Sequence, residues 1–400
     1  MVRKFLVTFG IVTILLLAAL WIYLLLFGAP QNARDIFSDL GFAGTTEDID
    51  RPEAPVTGRE VNRLSIASEG LSQLSTRPVA GFVLIEKADS QYIRYGEKGT
   101  GHIYEIDLAS GQEYRLSGKT VANTSEVKFN EDGTAVALTA YKAGMRHTQV
   151  YMVPEAEDEE AASRSLPVNS GNIALTGSST VFYTIKDTGG AVAYEYDIKS
   201  GVAVELWRLP LSDINVFLTN SGTYVVNKPA PALRGALYLV VNGKLEPVSE
   251  PRVAYAGKPN KEGTRYLETY YDSESGQLVS YVIDVATKDK FPLRITALPE
   301  KCAFASMSND LWCGAMIPSE AKTSPQFLRN WYSGVAVSDD MLWKNNLDEG
   351  YALLAVDVME SLGFSIDITD ADFSTDGSIL LFRNKLNDNL WLYFVPADLL

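Results

Sequence analysis

HIYEIDLASGQEYRL, from His102 to Leu116, is an apolar strand with an aromatic, a polar turn and a second strand, and it recurs down the chain. The copies are QVYMVPEAEDEEAASRSL from Gln149, AYEYDIKSGVAVEL from Ala193, ALYLVVNGKLEPV from Ala236, SYVIDVATKDKFPL from Ser280, MLWKNNLDEGYALL from Met341 and LYFVPADLL from Leu392. Their aromatics are Tyr104, Tyr151, Tyr194, Tyr238, Tyr281, Trp343 and Tyr393, and most intervals fall near the ~40 to 45 residues that a four-stranded unit occupies. One interval is longer and marks an insertion. Between copies lie further strands joined by tight turns, most clearly VKFNEDGTAVALTAY from Val127 and ADFSTDGSILLFR from Ala371, where Asp-Gly supplies a positive-φ residue. One such unit cannot bury both faces of its sheet alone, so the pattern predicts seven sheets packed radially, an all-β fold.

FNEDGTAVAL and FSTDGSILLF, each followed by a strand ending in Tyr, resemble blades of TolB-type and WD-repeat-like β-propellers. The likeness spans most of residues 70 to 400. It implies a seven-bladed β-propeller, and it resembles bacterial envelope-anchored propellers, an architecture that carries scaffolds, sensors and enzymes alike. The Gly-His and Trp-Asp pairs of the strict WD signature are missing here, so the partners of that group do not carry over.

The last copy stops at Leu400 after its third strand and needs an outer strand. GLSQLST, Gly70 to Thr76, has the pattern of one and directly precedes the first inner strand, VAGFVLIEK. We expect it to complete the final blade and remove an exposed edge.

Ahead of the repeats, Phe5 to Phe27 reads FLVTFGIVTILLLAALWIYLLLF without a charge. At ~1.5 Å per residue it spans the ~30 Å hydrocarbon core of a bilayer. A cleaved signal has a shorter apolar region and small residues at its cleavage site, whereas Phe27 stands two positions before Ala29. The expectation is a single transmembrane helix at 5–27 with a cytoplasmic tip at 1–4. Arg3 and Lys4 precede it, while Asp35, Asp39, Glu47 and Asp48 follow, so the positive-inside bias places the remainder outside the cytoplasm of a cell membrane. Residues 28–60 have the Pro and Gly content of a linker, with a short helix near Asp35 to Leu40, and 61–400 form the propeller.

The net charge of −15 and the lack of a basic stripe argue against a nucleic-acid partner, which needs clustered Lys and Arg. Cys302 and Cys313 are the only cysteines and flank AFASMSNDLW, whose Ser-Asn-Asp centre reads as a hairpin turn. They fall on near-opposite positions, which in an oxidising compartment suits a cross-strand disulfide, with two buried thiols as the plainer alternative.

The insertion, roughly Met316 to Ser338, contains SPQFLRNWYSG and concentrates Phe327, Arg329, Trp331 and Tyr332. These are the candidate binding residues, since long connections on rigid scaffolds take up partners through aromatic and Arg anchors. The competing reading is that the loop packs its own aromatics inward. Joining the second and third strands, it emerges on the same face as the Met359 to Phe364 connection.

Catalytic patterns are thin. His102 and His147 are the only histidines, so no metal-binding His pair exists and no metal or cofactor is expected. Ser319, Glu320, Ala321 and Lys322 match Ser-x-x-Lys without its companion motifs. The run Glu155, Glu157, Asp158, Glu159, Glu160 reads as a solvated loop rather than a calcium site, and Asp370, Asp372 and Asp376 as strand-end and turn residues. The sequence therefore supports a non-catalytic binding or scaffolding module for an envelope protein or surface glycan. The rival is a hydrolase using channel carboxylates, which would show a cluster of Asp or Glu with pKa values pushed apart.

Overall fold

Short β-branched and aromatic runs separated by Gly, Asn and Asp turns pair with their immediate neighbours, and here they do so seven times over. The computed structural model describes residues 59–67, 69–87, 90–153, 163–316 and 324–399. They form seven antiparallel sheets, each built on four strands that follow one another along the chain in every blade but the last. The innermost strands of blades 1 to 7 are Val79–Lys87, Thr124–Phe129, Gly171–Thr176, Ile214–Thr219, Arg252–Pro259, Cys302–Phe304 and Ile368–Phe373. The chain is a seven-bladed β-propeller.

Every aromatic of the repeat sits on the third strand of its blade, from Tyr104 on Ile103–Asp107 to Tyr393 on Asn389–Phe394. The reason is cross-strand packing: Tyr104 lies opposite Tyr95 with rings 5.2 Å apart, and Tyr194 opposite Tyr183 at 5.4 Å. The core lies between blades. Leu74, Ile93, Tyr95 and Ile106 pack with Ile379, Leu381, Leu390 and Leu392, joining blade 1 to blade 7.

Gly70–Gln73 pairs antiparallel with Asn389–Phe394, Gly70 opposite Phe394 and Gln73 opposite Trp391, as the outer strand of blade 7. Blade 7 is thus assembled from both ends of the domain. Arg383 donates to the Val79 carbonyl at 3.0 Å and Lys98 meets Asp388 at 2.6 Å across the same seam. Arg59–Arg63 adds a fifth strand outside Gln112–Ser117 of blade 1.

Because each first strand runs in the same sense, the turns after first and third strands gather on one face, here the turn face. The connections after second and fourth strands gather on the other, the loop face. In blades 2, 5 and 7 the turn-face hairpin is the same device. Asn130, Asn260 and Ser374 accept backbone N–H groups of Ala135, Arg265 and Ile379 through their side chains. Three residues on stands a positive-φ glycine, and at Gly263 a Cβ would come within 1.9 Å of Ser221 Oγ.

The repeats contain no sustained helical period, yet among the described residues two α-helices occur in the loops of blade 6. Helix α1, Pro325–Tyr332, starts at the Ser324 cap, whose side chain accepts the Phe327 N–H. Helix α2, Val358–Leu362, is capped by Asp357 and ends at Gly363 in the left-handed conformation. The sequence reading took the insertion as an irregular connection; Ser-Pro at 324–325 followed by Phe327, Leu328 and Trp331 was the missed signal. Among the described residues no helix is long and apolar enough to cross a membrane. The run Phe5 to Phe27, the helix expected near Asp35, the acidic run from Glu155 and the tetrad Ser319 to Lys322 lie outside the described residues.

Candidate functional site

The insertion joins the second and third strands of blade 6, Asp310–Ala315 and Met341–Asn346, and so belongs to the loop face, as does α2. Along α1 the spacing turns Phe327, Leu328 and Trp331 inward, where they pack with Ala256, Leu278 and Leu298. Phe327 is 8% exposed and Trp331 3%, so neither side chain is presented to solvent. Half-buried Tyr332 donates its hydroxyl to Glu300, and Arg329 points outward. Three of the four candidate binding residues therefore hold the insertion down.

Beneath α1 lies a buried ionic cluster. Lys301 Nζ donates to Ser338 Oγ at 2.7 Å, to Asp367 Oδ1 at 2.5 Å and to Asp340. Trp331 Nε1 donates to both Asp367 oxygens at 3.0 Å. Lys385 Nζ donates to the Trp331 carbonyl at 2.5 Å and stands 3.7 Å from the centre of the Trp331 ring. Burial pushes the Lys385 amine down to about 8 and the Asp340 carboxyl up, against the pull of Lys301 on the latter. The lysines and carboxylates come from the connection before blade 6, the insertion, the connection before blade 7 and the blade 7 loop, so one cluster ties four loops together. Sequence reading missed all of them, because residues 301, 340, 367 and 385 meet only when the ring has closed.

Cys302 and Cys313 are opposite partners in blade 6 and form a disulfide with a Cα separation of 4.2 Å. His102 stands between Thr120 and Glu97, and His147 pairs with Ala140 in blade 2, so the two histidines lie in separate blades.

The axis of the ring carries a second set of polar groups. Lys128, Lys258 and Asp372 occupy equivalent positions on the inner strands of blades 2, 5 and 7, each two residues before the hairpin residue Asn130, Asn260 or Ser374. Blades 2 and 5 are not neighbours, yet Glu131 and Lys261 from their hairpins meet at 2.6 Å, which is possible only across the central channel. Below them a bulge interrupts the inner strand of blade 7 between Thr369 and Asp372 and puts Asp370 at φ 54°. The same bulge places Asn172 of blade 3 and Ala254 of blade 5 in that conformation.

Asp370 receives two bonds from Arg383, at 2.9 and 2.5 Å, while water still reaches it. The surrounding protein raises its carboxyl, but Arg383, Lys128 and Lys258 outweigh that and hold it below the ordinary range. Asp372 goes the other way: desolvation prevails over the attraction of Lys258 and raises it. Glu300, beneath Tyr332, is also raised by desolvation, against its hydrogen bond from Tyr332. Two carboxyls on one strand are thus pushed apart. Asp376, the third of the trio named from sequence, is spent in its turn on Ser374 and Ser378. Among the described residues no group of three or more His, Cys, Asp or Glu is placed to hold a metal ion.

Fold and axial site together define a β-propeller with a charged, water-accessible channel. No protein-family model matches the sequence, and no curated protein matches it. Among solved structures the chain is similar to an oligogalacturonate lyase in complex with manganese, with a TM-score of 0.57 at 10% identity over 86% of this chain and 99% of that one. It is similar to the β-propeller domain of Myceliophteria thermophila Cps50 (Swd1), with a TM-score of 0.52 at 10% identity over 82% and 100%. TolB from Acinetobacter baumannii is matched with a TM-score of 0.41 at 12% identity over 71% and 61%. Likeness at this level of identity concerns the fold alone.

Proposed function

We propose that this chain is a membrane-anchored, extracytoplasmic binding module that takes a polar ligand, an envelope protein segment or a cell-surface polymer, at the turn-face mouth of its channel. The anchored part is supported by the uncharged run Phe5 to Phe27 with Arg3 and Lys4 before it and carboxylates after it. The binding part is carried by one observation: Glu131, Lys261 and Asp372 converge on the axis from three blades and remain open to water, with half-buried Lys258 beside them on the Cys302 carbonyl, so a ligand with hydroxyl, amide or charged groups finds both donors and acceptors.

A second reading, hydrolysis of a polymer by channel carboxylates, is favoured by the opposed shifts of Asp370 and Asp372, one held below and one raised above the ordinary carboxylate range. The oligogalacturonate lyase with a similar fold offers a precedent for polysaccharide chemistry on such a frame.

One assay separates the readings. Detergent-solubilised full-length protein is sedimented with insoluble envelope polymer, and the supernatant is assayed for released reducing ends. Binding predicts co-sedimentation that K258M/D372N reduces at least tenfold, with no release. Release abolished by D372N selects the hydrolase. Equal retention of both proteins without release removes the channel from the account.

A further inference from the structure

The outer strand of a blade has one row of N–H and C=O groups with no strand beside it, a template that any extended chain can join, and natural sheets blunt such edges. In five blades the edge is blunted. Ser163–Ser165, Lys244–Pro247, Lys290–Pro292 and Gly70–Gln73 of blades 2, 4, 5 and 7 are only three or four residues long, and those of blades 4 and 5 begin with Lys and end with Pro. Blade 1 has a longer outer strand, but Arg59–Arg63 covers it. Among the described residues the edges of blades 3 and 6 have no such protection. Ala203–Leu209 and Tyr351–Val356 run for seven and six residues and each ends its sheet. Val202 is 57% exposed and Val204 56%, with Leu206 after them, and on blade 6 Tyr351, Leu353 and Leu354 are exposed. Blades 3 and 6 stand three places apart in a ring of seven, so these two edges point to opposite sides of the propeller.

Charge tells the two edges apart. From Leu347 to Glu360 blade 6 carries Asp348, Glu349, Asp357 and Glu360 and no cation. The blade 3 edge has Lys199 ahead of its strand and Arg208 near the far end, where Arg208 also meets Asp187 and Glu205 of its own chain. Two blade 6 edges laid antiparallel set Glu349 against Asp357, and two blade 3 edges set Lys199 against Arg208, like charges in both cases. Laid against each other, the two edges bring Arg208 to Glu349 and Lys199 to Asp357.

We propose that the outer strand of blade 3 pairs antiparallel with the outer strand of blade 6 of a second copy of this chain, Val204 opposite Leu353 and Leu206 opposite Tyr351. Each copy thus carries both halves of the contact. The covered edge of blade 1 shows that a further antiparallel strand fits outside a blade of this ring. Main-chain hydrogen bonds supply the affinity, while the apolar pairs and the charges at the two ends select the partner edge. The two surfaces differ, so the contact is head-to-tail: a pair of copies leaves one edge of each kind free, and further copies extend a chain.

The test uses full-length protein in detergent, followed by sedimentation velocity over a wide range of concentration. V204K spoils the blade 3 edge and L353K the blade 6 edge, both at exposed positions. Wild-type protein is expected to form a concentration-dependent series beyond the dimer, V204K alone and L353K alone to stay monomeric, and their equal mixture to stop at a dimer, since each supplies the edge that the other lacks. Assembly of either variant alone assigns the contact to self-pairing or to another surface and overturns the proposal. Wild-type protein that is monomeric throughout, or a mixture that is, overturns it too. A second measurement leaves the edges uncharged: Cys302 and Cys313 are joined to one another, so thiols introduced as V204C and L353C find only each other when the two proteins are mixed and oxidised. The mixed disulfide should exceed either homodimer at least tenfold, and equal yields of all three would contradict the pairing.

Discussion

At the scale of single residues, Glu268 shows how an isolated buried carboxyl sets a pH dependence. It is 2% exposed, and burial raises it to about 7 against the pull of Lys290, Tyr255 and Arg252. In the unfolded chain it titrates near 4.5, so between those values the folded state holds the extra proton. Its contribution is full below pH 4.5 and is lost as pH rises through 7. A shift of that size corresponds to roughly 3 kcal/mol at most. Glu268→Gln keeps the shape without the charge, so the unfolding free energy from urea titration should rise at pH 8 by up to that amount and stay unchanged at pH 4. A loss of stability at pH 8 would mean that the ionised form is well solvated. Residue chemistry was the least legible part of the sequence. Asp372 reads as a strand-end residue, and the cations that act on it, Lys258 and Lys261, stand 114 and 111 positions earlier and are brought alongside by the ring.

At the scale of elements, legibility followed locality. The repeat, the Asp-Gly hairpins and the place of Gly70–Gln73 could be read because each depends on neighbours in sequence or on the need to cover one edge. Helix α1 was missed because eight residues carry too short an apolar period to stand out, and its stability comes from packing rather than propensity. The inward turn of Phe327 and Trp331 matches the reading in which the loop packs its own aromatics, while the Lys301 cluster that holds Trp331 is announced by no local pattern. Asp367 is fully buried and accepts from Lys301, Ser338 and Trp331. Asp367→Ala leaves Lys301 and Trp331 without that acceptor, and the expected cost is about 3 to 5 kcal/mol in chemical denaturation. Limited proteolysis should then cut first near α1, with the other blades intact. A change below 1 kcal/mol would show that water replaces the carboxylate and that the latch contributes little.

At the scale of the molecule, seven sheets that share their cores with neighbours give a rigid frame with a charged axis. That axis is not visible in the net charge of −15, because the sequence interleaves loop-face and turn-face residues every few positions. It emerges once alternate connections are sorted onto opposite sides. On the proposed reading the propeller, with its channel mouth, is presented outside the cytoplasm. The most direct test uses Met307→Cys, on the turn face, in intact cells exposed to a membrane-impermeant thiol reagent. Labelling without permeabilisation, equal to that after lysis, is the predicted result. Labelling that appears only after lysis would place the propeller in the cytoplasm and contradict the account.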